Sequence, residues 1–253
     1  MKSLVKTLLL GSACGLAITG IASAADLSSA VPLRGSVGSW TGLYGGVNGG
    51  YSWNEGDAVV FNSTIGIRPN PTGSVVGAQL GYNWQFTPEW VFGVETDIDW
   101  ADINGNQSLS TVGIVGVGPV AFVAQQRIHT LGTLRARAGY VLEDVLLYAT
   151  AGLAYGQAEI DTSITDQFAG LTCGPAGFCA NVGSKQWLMG WAAGVGVDWS
   201  FLPRWSFRTE YLHYDLGSVH QSLTDPAVAG VLITSDTNVR GDILRGAINF
   251  KFF

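Results

Sequence analysis

Positive charge is scarce in this chain of 253 residues: 13 Lys and Arg stand against 19 Asp and Glu, a formal net charge of −6. A polyanion would find little to hold, which excludes nucleic acid as a partner. Histidine and cysteine are scarce as well, three of each, and nowhere spaced as a zinc site requires, so no metal and no cofactor is expected. Long apolar runs are missing beyond the N-terminus, and with them the roughly 20 uninterrupted residues of a spanning helix. Glycine, by contrast, is plentiful at 35 residues, tryptophan reaches nine, and the mean hydropathy is +0.26.

The N-terminus accounts for part of that hydropathy. Lys2 and Lys6 precede the apolar run LLLGSACGLAITGI, which ends in Ala22-Ser23-Ala24, the pattern of a secretory signal over residues 1–24. Its removal takes two lysines and no acids, moving the net charge from −6 to −6 − 2 = −8. Cys14 lies inside the signal, and Gly11 three positions before it does not fit a lipoprotein site. Residues 25–39 read as a periplasmic linker. Cys173 and Cys179 share the loop CGPAGFC; in an oxidising compartment such a pair favours a local disulfide over a metal site.

From residue 40 onward the dominant signal has a period of two. In GSVVGAQLGYNWQFTPEWVFGVETDIDW, Val76, Ala78, Leu80, Tyr82, Trp84 and Phe86 alternate with Gly77, Gln79, Gly81, Asn83 and Gln85. After the turn TPE the pattern resumes, with Phe92, Val94, Thr96, Ile98 and Trp100 on one side and Glu95, Asp97 and Asp99 on the other. The alternation predicts eight strands, over 40–53, 73–86, 90–103, 125–142, 145–160, 185–201, 205–217 and 239–253. Short turns at 87–89, 143–144 and 202–204 alternate with long connections at 54–72, 104–124, 161–184 and 218–238. An even strand count, long loops at one end and Trp and Tyr near strand ends predict an all-β fold, an eight-stranded antiparallel up-and-down transmembrane β-barrel, over residues 40–253. A soluble barrel would point its apolar phase inward. In the sixth strand, however, that phase carries Trp187, Met189, Trp191, Val195, Val197 and Trp199 against Gly190, Gly194 and Gly196, and a narrow lumen has no room for it. The large phase therefore faces lipid, in the bacterial outer membrane.

The polar phase then lines the lumen. It carries Glu95, Asp97 and Asp99, then Arg127, His129, Thr133, Arg135 and Arg137, with Arg208, Glu210, Arg245 and Lys251 farther along. Counting from the shared loop puts Glu95 near Arg137 and Asp97 near Arg135. Charges in so narrow a space persist only when paired. Eight strands leave an interior filled by side chains, which favours an ion-pair plug over a charge-lined pore.

Catalysis would need a nucleophile or base with an orienting partner. His129 reads as lumen lining, His213 as outward near a strand end, and His220 as a loop residue near Ser218 and Ser222; none of them forms a recognisable triad. No enzyme is predicted. The apolar runs 112–124 and 227–234 in the long connections admit two readings: strands continuing beyond the membrane as hairpins, or an exposed patch that meets a partner, lipopolysaccharide or a hydrophobic ligand.

The segments WTGLYGGVNGGYSW, GAQLGYNWQF, WVFGVETDI, TLRARAGY, LLYATAGLAYG, GWAAGVGVDWSF, EYLHYDLG and the terminal GAINFKFF occur in order over nearly the whole of the mature chain. In these segments the sequence resembles the porin-like small outer-membrane protein family of alphaproteobacteria, which includes major surface antigens and haemin-binding members. The resemblance implies an eight-stranded outer-membrane barrel inserted by the barrel-assembly machinery, with contacts to outer-membrane lipid and lipopolysaccharide. It also implies a structural, envelope-supporting role, with an extracellular partner at the loops. The alternatives are a small-solute channel and loop-mediated capture of a hydrophobic ligand such as haem. A terminal aromatic is the family's assembly signal, carried here by Phe250, Phe252 and Phe253, of which Phe253 falls on the opposite phase from the other two.

Overall fold

The computed structural model describes residues 39–54, 59–61, 65–114, 118–166, 179–224 and 232–252. The expected signal, all of the linker but Ser39, Cys173, the Cys179 side chain and Phe253 lie outside the described residues.

Eight antiparallel strands form a closed ring. Among the described residues the ten strands in chain order are β1 (Gly42–Trp53), β2 (Val59–Phe61), β3 (Ile65–Ile67), β4 (Thr72–Gln85), β5 (Trp90–Ile114), β6 (Gly118–Leu142), β7 (Val145–Asp166), β8 (Cys179–Leu202), β9 (Trp205–Thr224) and β10 (Leu232–Lys251). The ring runs β1-β4-β5-β6-β7-β8-β9-β10 and closes where β10 pairs with β1, from Tyr44 opposite Lys251 to Trp53 opposite Asp242. Farther out β10 exchanges β1 for the small β2–β3 hairpin, with Asp236 opposite Val60. Closure leaves the ring without a free edge inside hydrocarbon, where an unpaired backbone group costs several kcal/mol.

The apolar phase points outward. Val76, Leu80, Trp84, Met189, Trp191 and Leu244 are each about half exposed or more, and Met189 reaches 73 %. A continuous apolar wall of this kind is compatible with lipid and not with water. One aromatic belt lies near the short turns and includes Trp90 and Tyr140, packed edge to face at 5.4 Å, and Trp205 and Phe250, at 5.0 Å. A second, toward the long connections, includes Trp53 with Tyr211 and Tyr155 with Trp187.

The strands continue well beyond the expected boundaries. β5 and β6 stay paired up to Ile114 opposite Gly118, so the connection expected at 104–124 is mostly a hairpin, as the first reading of its apolar run required. β9 was expected to stop at Gly217. Instead Gly217 takes φ +85° at a bulge opposite β10, which glycine tolerates without steric cost, and the strand resumes to Thr224. His220 is accordingly a strand residue, not a loop residue. Alternation fades above the membrane because the outer face there is wet, and the sequence loses its contrast.

Candidate functional site

Inside the ring the lumen is filled in two tiers. The tier toward the short turns is charged. Glu95, Asp97 and Asp99 from β5, Asp198 from β8 and Glu210 from β9 meet Arg135 and Arg137 from β6, Arg208 from β9 and Arg245 from β10, all of them at most 4 % exposed. Arg135 is the hub: Nε donates to Thr133 Oγ1 at 2.8 Å, Nη1 to Glu210 Oε1 at 3.0 Å, and Nη2 to Glu95 Oε1 at 2.9 Å and Asp97 Oδ2 at 2.8 Å. Arg245 reaches Asp97 at 2.9 Å, Asp99 at 3.1 Å and Glu210 through Nε at 2.8 Å. Arg208 joins Glu95 to Asp198, donating to Asp198 Oδ2 from Nη2 at 2.8 Å and to Glu95 Oε2 from Nη1. Multiple charge-assisted bonds of this kind are what make buried charge tolerable.

Two tyrosines complete the tier. The Tyr148 ring lies 3.9 Å beneath the Arg137 guanidinium, and Tyr44 donates to Glu95 while accepting from Arg137 Nη1 at 2.9 Å. Each lies across its neighbouring strand over a glycine: a Cβ on Gly81 would sit 2.4 Å from the Tyr44 ring, and one on Gly196 would sit 2.4 Å from the Tyr148 hydroxyl. Below this tier, Ser39, Asn83, Asp198, Asn249 and Lys251 are among the residues around a small cavity of about 40 Å³.

The tier toward the long connections is apolar and was not foreseen. Val75, Ile103, Ile128, Leu131, Ile160, Leu212, Tyr214, Leu216, Val219, Val239 and Ile243 pack into one buried cluster. Their positions follow the inward phase, but each reads in sequence as an ordinary member of an alternating strand. The available signal was the inward phase itself, on which Leu212, Tyr214 and Leu216 follow Arg208 and Glu210.

The register between β5 and β6 differs from the expected one. Carried straight down from the turn, Ile114 opposite Gly118 would put Glu95 opposite Arg137. Two bulges on β5, between Trp100 and Ile103 and between Leu109 and Val112, shift this by two residues, so that Glu95 stands opposite Arg135 and Asp97 opposite Thr133. A third irregularity, in β6 between Ile128 and Thr130, reverses the phase of that strand. Above it Gln126 and Ile128 are buried, and Arg127 points outward rather than into the lumen. The same reversal turns His129 out to Glu159, at 3.0 Å. Bulges reorient side chains in this way because one extra residue shifts a period-two pattern by half its period. Asp198, Tyr44 and Tyr148 are network members that sequence reasoning missed; Asp198 stood on the inward phase of GVGVDW and was the one within reach.

Phe250 and Phe252 lie at the seam beside β1. The Phe252 amide donates to Leu43 O at 2.9 Å, and the two rings pack edge to face at 5.5 Å. Among the histidines, His213 Nδ1 lies 2.8 Å from Asp242. His220 bonds Asp236 through Nδ1, with Ser218 Oγ 3.5 Å from its Nε2. That is the connectivity of a serine hydrolase relay, but the side chains of His220 and Asp236 are 75 % and 55 % exposed on an open strand face. An oxyanion is stabilised by preorganised donors in a water-excluded site, and this face offers no such enclosure.

The family model for the outer membrane protein beta-barrel domain matches residues 12–252. The 31 kDa outer-membrane immunogenic protein of Brucella melitensis is 30 % identical over 225 residues, 85 % of this chain and 84 % of that one. The 25 kDa outer-membrane immunogenic protein of Brucella abortus is 28 % identical over 255 residues, 98 % and 99 % of the two chains. Among solved structures, Neisserial surface protein A aligns with a TM-score of 0.43 at 14 % identity, over 84 % of this chain and 98 % of that one. With the family model spanning nearly the whole barrel, the chain belongs to the outer-membrane β-barrel family and is a protein of the outer membrane.

Proposed function

We propose that this protein is a sealed, non-enzymatic structural barrel that contributes to envelope integrity and presents its extracellular strands and loops to a host or partner. The observation that carries the reading is the two-tier filling of the lumen. A passing ion would have to displace four guanidiniums locked to five carboxylates and then cross an apolar layer. Both barriers are high, because stripping water from an ion costs several kcal/mol and the apolar tier offers no charged partner in return. The surface role draws support from the immunogenic relatives, since an antigen has to be exposed. Capture of a hydrophobic ligand by the loops concerns residues 115–117, 167–178 and 225–231, outside the described residues.

The test is single-channel recording of the refolded protein in a planar bilayer, together with a deletion strain. The expected results are electrical silence and increased sensitivity of the deletion strain to detergents and bulky antibiotics. Steady conductance steps would refute the seal, and an unchanged permeability barrier would refute the envelope role.

A further inference from the structure

On the outer wall, above the girdle residue Trp100, β5 and β6 enclose a depression of about 260 Å³ lined by Asn104, Gly105, Asn106, Gln125 and Arg127. The register explains the grouping: Asn104 stands opposite Arg127 and Asn106 opposite Gln125, two cross-strand pairs that bracket the hollow. The phase reversal in β6 is what brings Arg127 to this face. On its other side Arg127 stands opposite Glu159 and acts on its charge across the strands, while that carboxylate's hydrogen bond goes to His129 Nε2 at 3.0 Å. The guanidinium instead donates from Nη2 to Gln125 Oε1 at 3.2 Å, which turns it to the hollow. Asn104 is oriented in its turn by donating to Asp102 Oδ1 at 2.5 Å.

We infer that this depression binds a carboxylate-bearing sugar of an outer-leaflet glycolipid, the sugar next to the lipid's membrane-embedded backbone. Three amides, each both donor and acceptor, match the hydroxyls of a pyranose, and a guanidinium fork matches a carboxylate in two-point contact. Height selects the source. The hollow lies just above an aromatic belt that marks the interface, where acyl chains end and saccharide begins. Its lining is polar, which disfavours an acyl chain. A free sugar acid would approach a chain of net charge −8 after signal removal, whereas a lipid-anchored one is held beside the wall at high effective concentration. The inference goes beyond the sealed-barrel reading and does not rest on it, because a conducting barrel would present the same wall.

The experiment is native mass spectrometry of the protein refolded in detergent and titrated with two probes: lipid A carrying two octulosonic acid residues, and lipid A without sugars. The parent should bind the sugar-bearing probe roughly 10-fold more tightly, the value of one good charge-assisted contact. Arg127→Ala should bind both probes alike, and Arg127→Lys, which keeps the charge but loses the fork, should fall between. Asn106→Asp, which adds a like charge at the exposed rim, should abolish the preference independently should Arg127→Ala fail to fold. Arg204→Ala, at a turn on the opposite end of the barrel, should keep the parent's preference, with heat-modifiable gel mobility confirming that every variant is folded. A parent without preference, or an Arg127→Ala variant that retains it, would overturn the inference. Soluble octulosonic acid binding as tightly as the glycolipid would overturn the lipid source.

Discussion

Arg135→Ala tests the charged tier most directly. The substitution removes four hydrogen bonds and three ion-pair partners at once, from a residue 1 % exposed. Summed as independent charge-assisted bonds, these would amount to about 6–12 kcal/mol, but the carboxylates left behind are not orphaned. Glu95 keeps Arg208 and Tyr44, Asp97 keeps Arg245 and Thr133, and Glu210 keeps Arg245 and Tyr148. The realistic loss is therefore that of breaking one buried pair, about 3–5 kcal/mol. With a urea slope of about 2 kcal/mol/M, the unfolding midpoint in phospholipid vesicles should drop by roughly 1.5–2.5 M, read from tryptophan fluorescence. A paired change, Arg135→Met with Asp97→Asn, should recover a large part of this, because it removes one charge of each sign and fills the volume. If Arg135→Ala unfolds within about 1 kcal/mol of the parent, the network is not what holds the barrel.

Arg135→Ala/Arg137→Ala should remain silent in a planar bilayer, since Ile128, Leu131 and Leu216 still close the lumen above; channel openings in that variant would show that the apolar tier does not seal. Gly196→Ala should destabilise by about 1–3 kcal/mol, because the new Cβ collides with the Tyr148 hydroxyl and pushes the ring off Arg137; unchanged urea unfolding would refute that cradle. Outside the membrane, the hydrogen bond from His129, aided by Lys185 and Arg127, holds the Glu159 carboxyl below its usual range. Any stability from its charge is therefore present above the ordinary glutamate pKa and fades as pH falls through the lowered one. In His129→Ala the carboxyl titration followed by NMR should move up, and an unmoved titration would refute the pairing.

Much of this was legible in the chain because a membrane barrel imposes a strict rule: one phase meets lipid and the other meets the lumen. Glu95, Asp97, Asp99, Arg135, Arg137, Arg208, Glu210 and Arg245 were found by parity alone. Parity fails wherever the backbone inserts a residue. Three irregularities in the β5–β6–β7 region moved Glu95 two places along its partner and turned Arg127 and His129 to the outer wall. Bulges of this kind are written into backbone geometry and carry no residue signature in these segments. The apolar tier escaped for a different reason. Parity puts Leu131, Leu212 and Leu216 on the inward phase but does not say which residues share a level, and only the closed ring shows that they pack into one cluster.

The two tiers are not energetically separate if the apolar layer keeps water from the charges. Ion pairs strengthen as the local dielectric falls, and Leu131 occupies the next inward position of β6 above Thr133, itself bonded to Asp97 and Arg135. Leu131→Ala alone should cost about 2–5 kcal/mol, the usual range for emptying a packed site. Water admitted to that void would weaken the pairs beneath, so Arg135→Ala should cost less in the Leu131→Ala background than in the parent. A double-mutant cycle in urea should show this as a coupling of about 0.5–3 kcal/mol, with the double variant more stable than the sum of the singles implies. Strict additivity, within about 0.5 kcal/mol, would mean that the charged tier stands without the apolar layer.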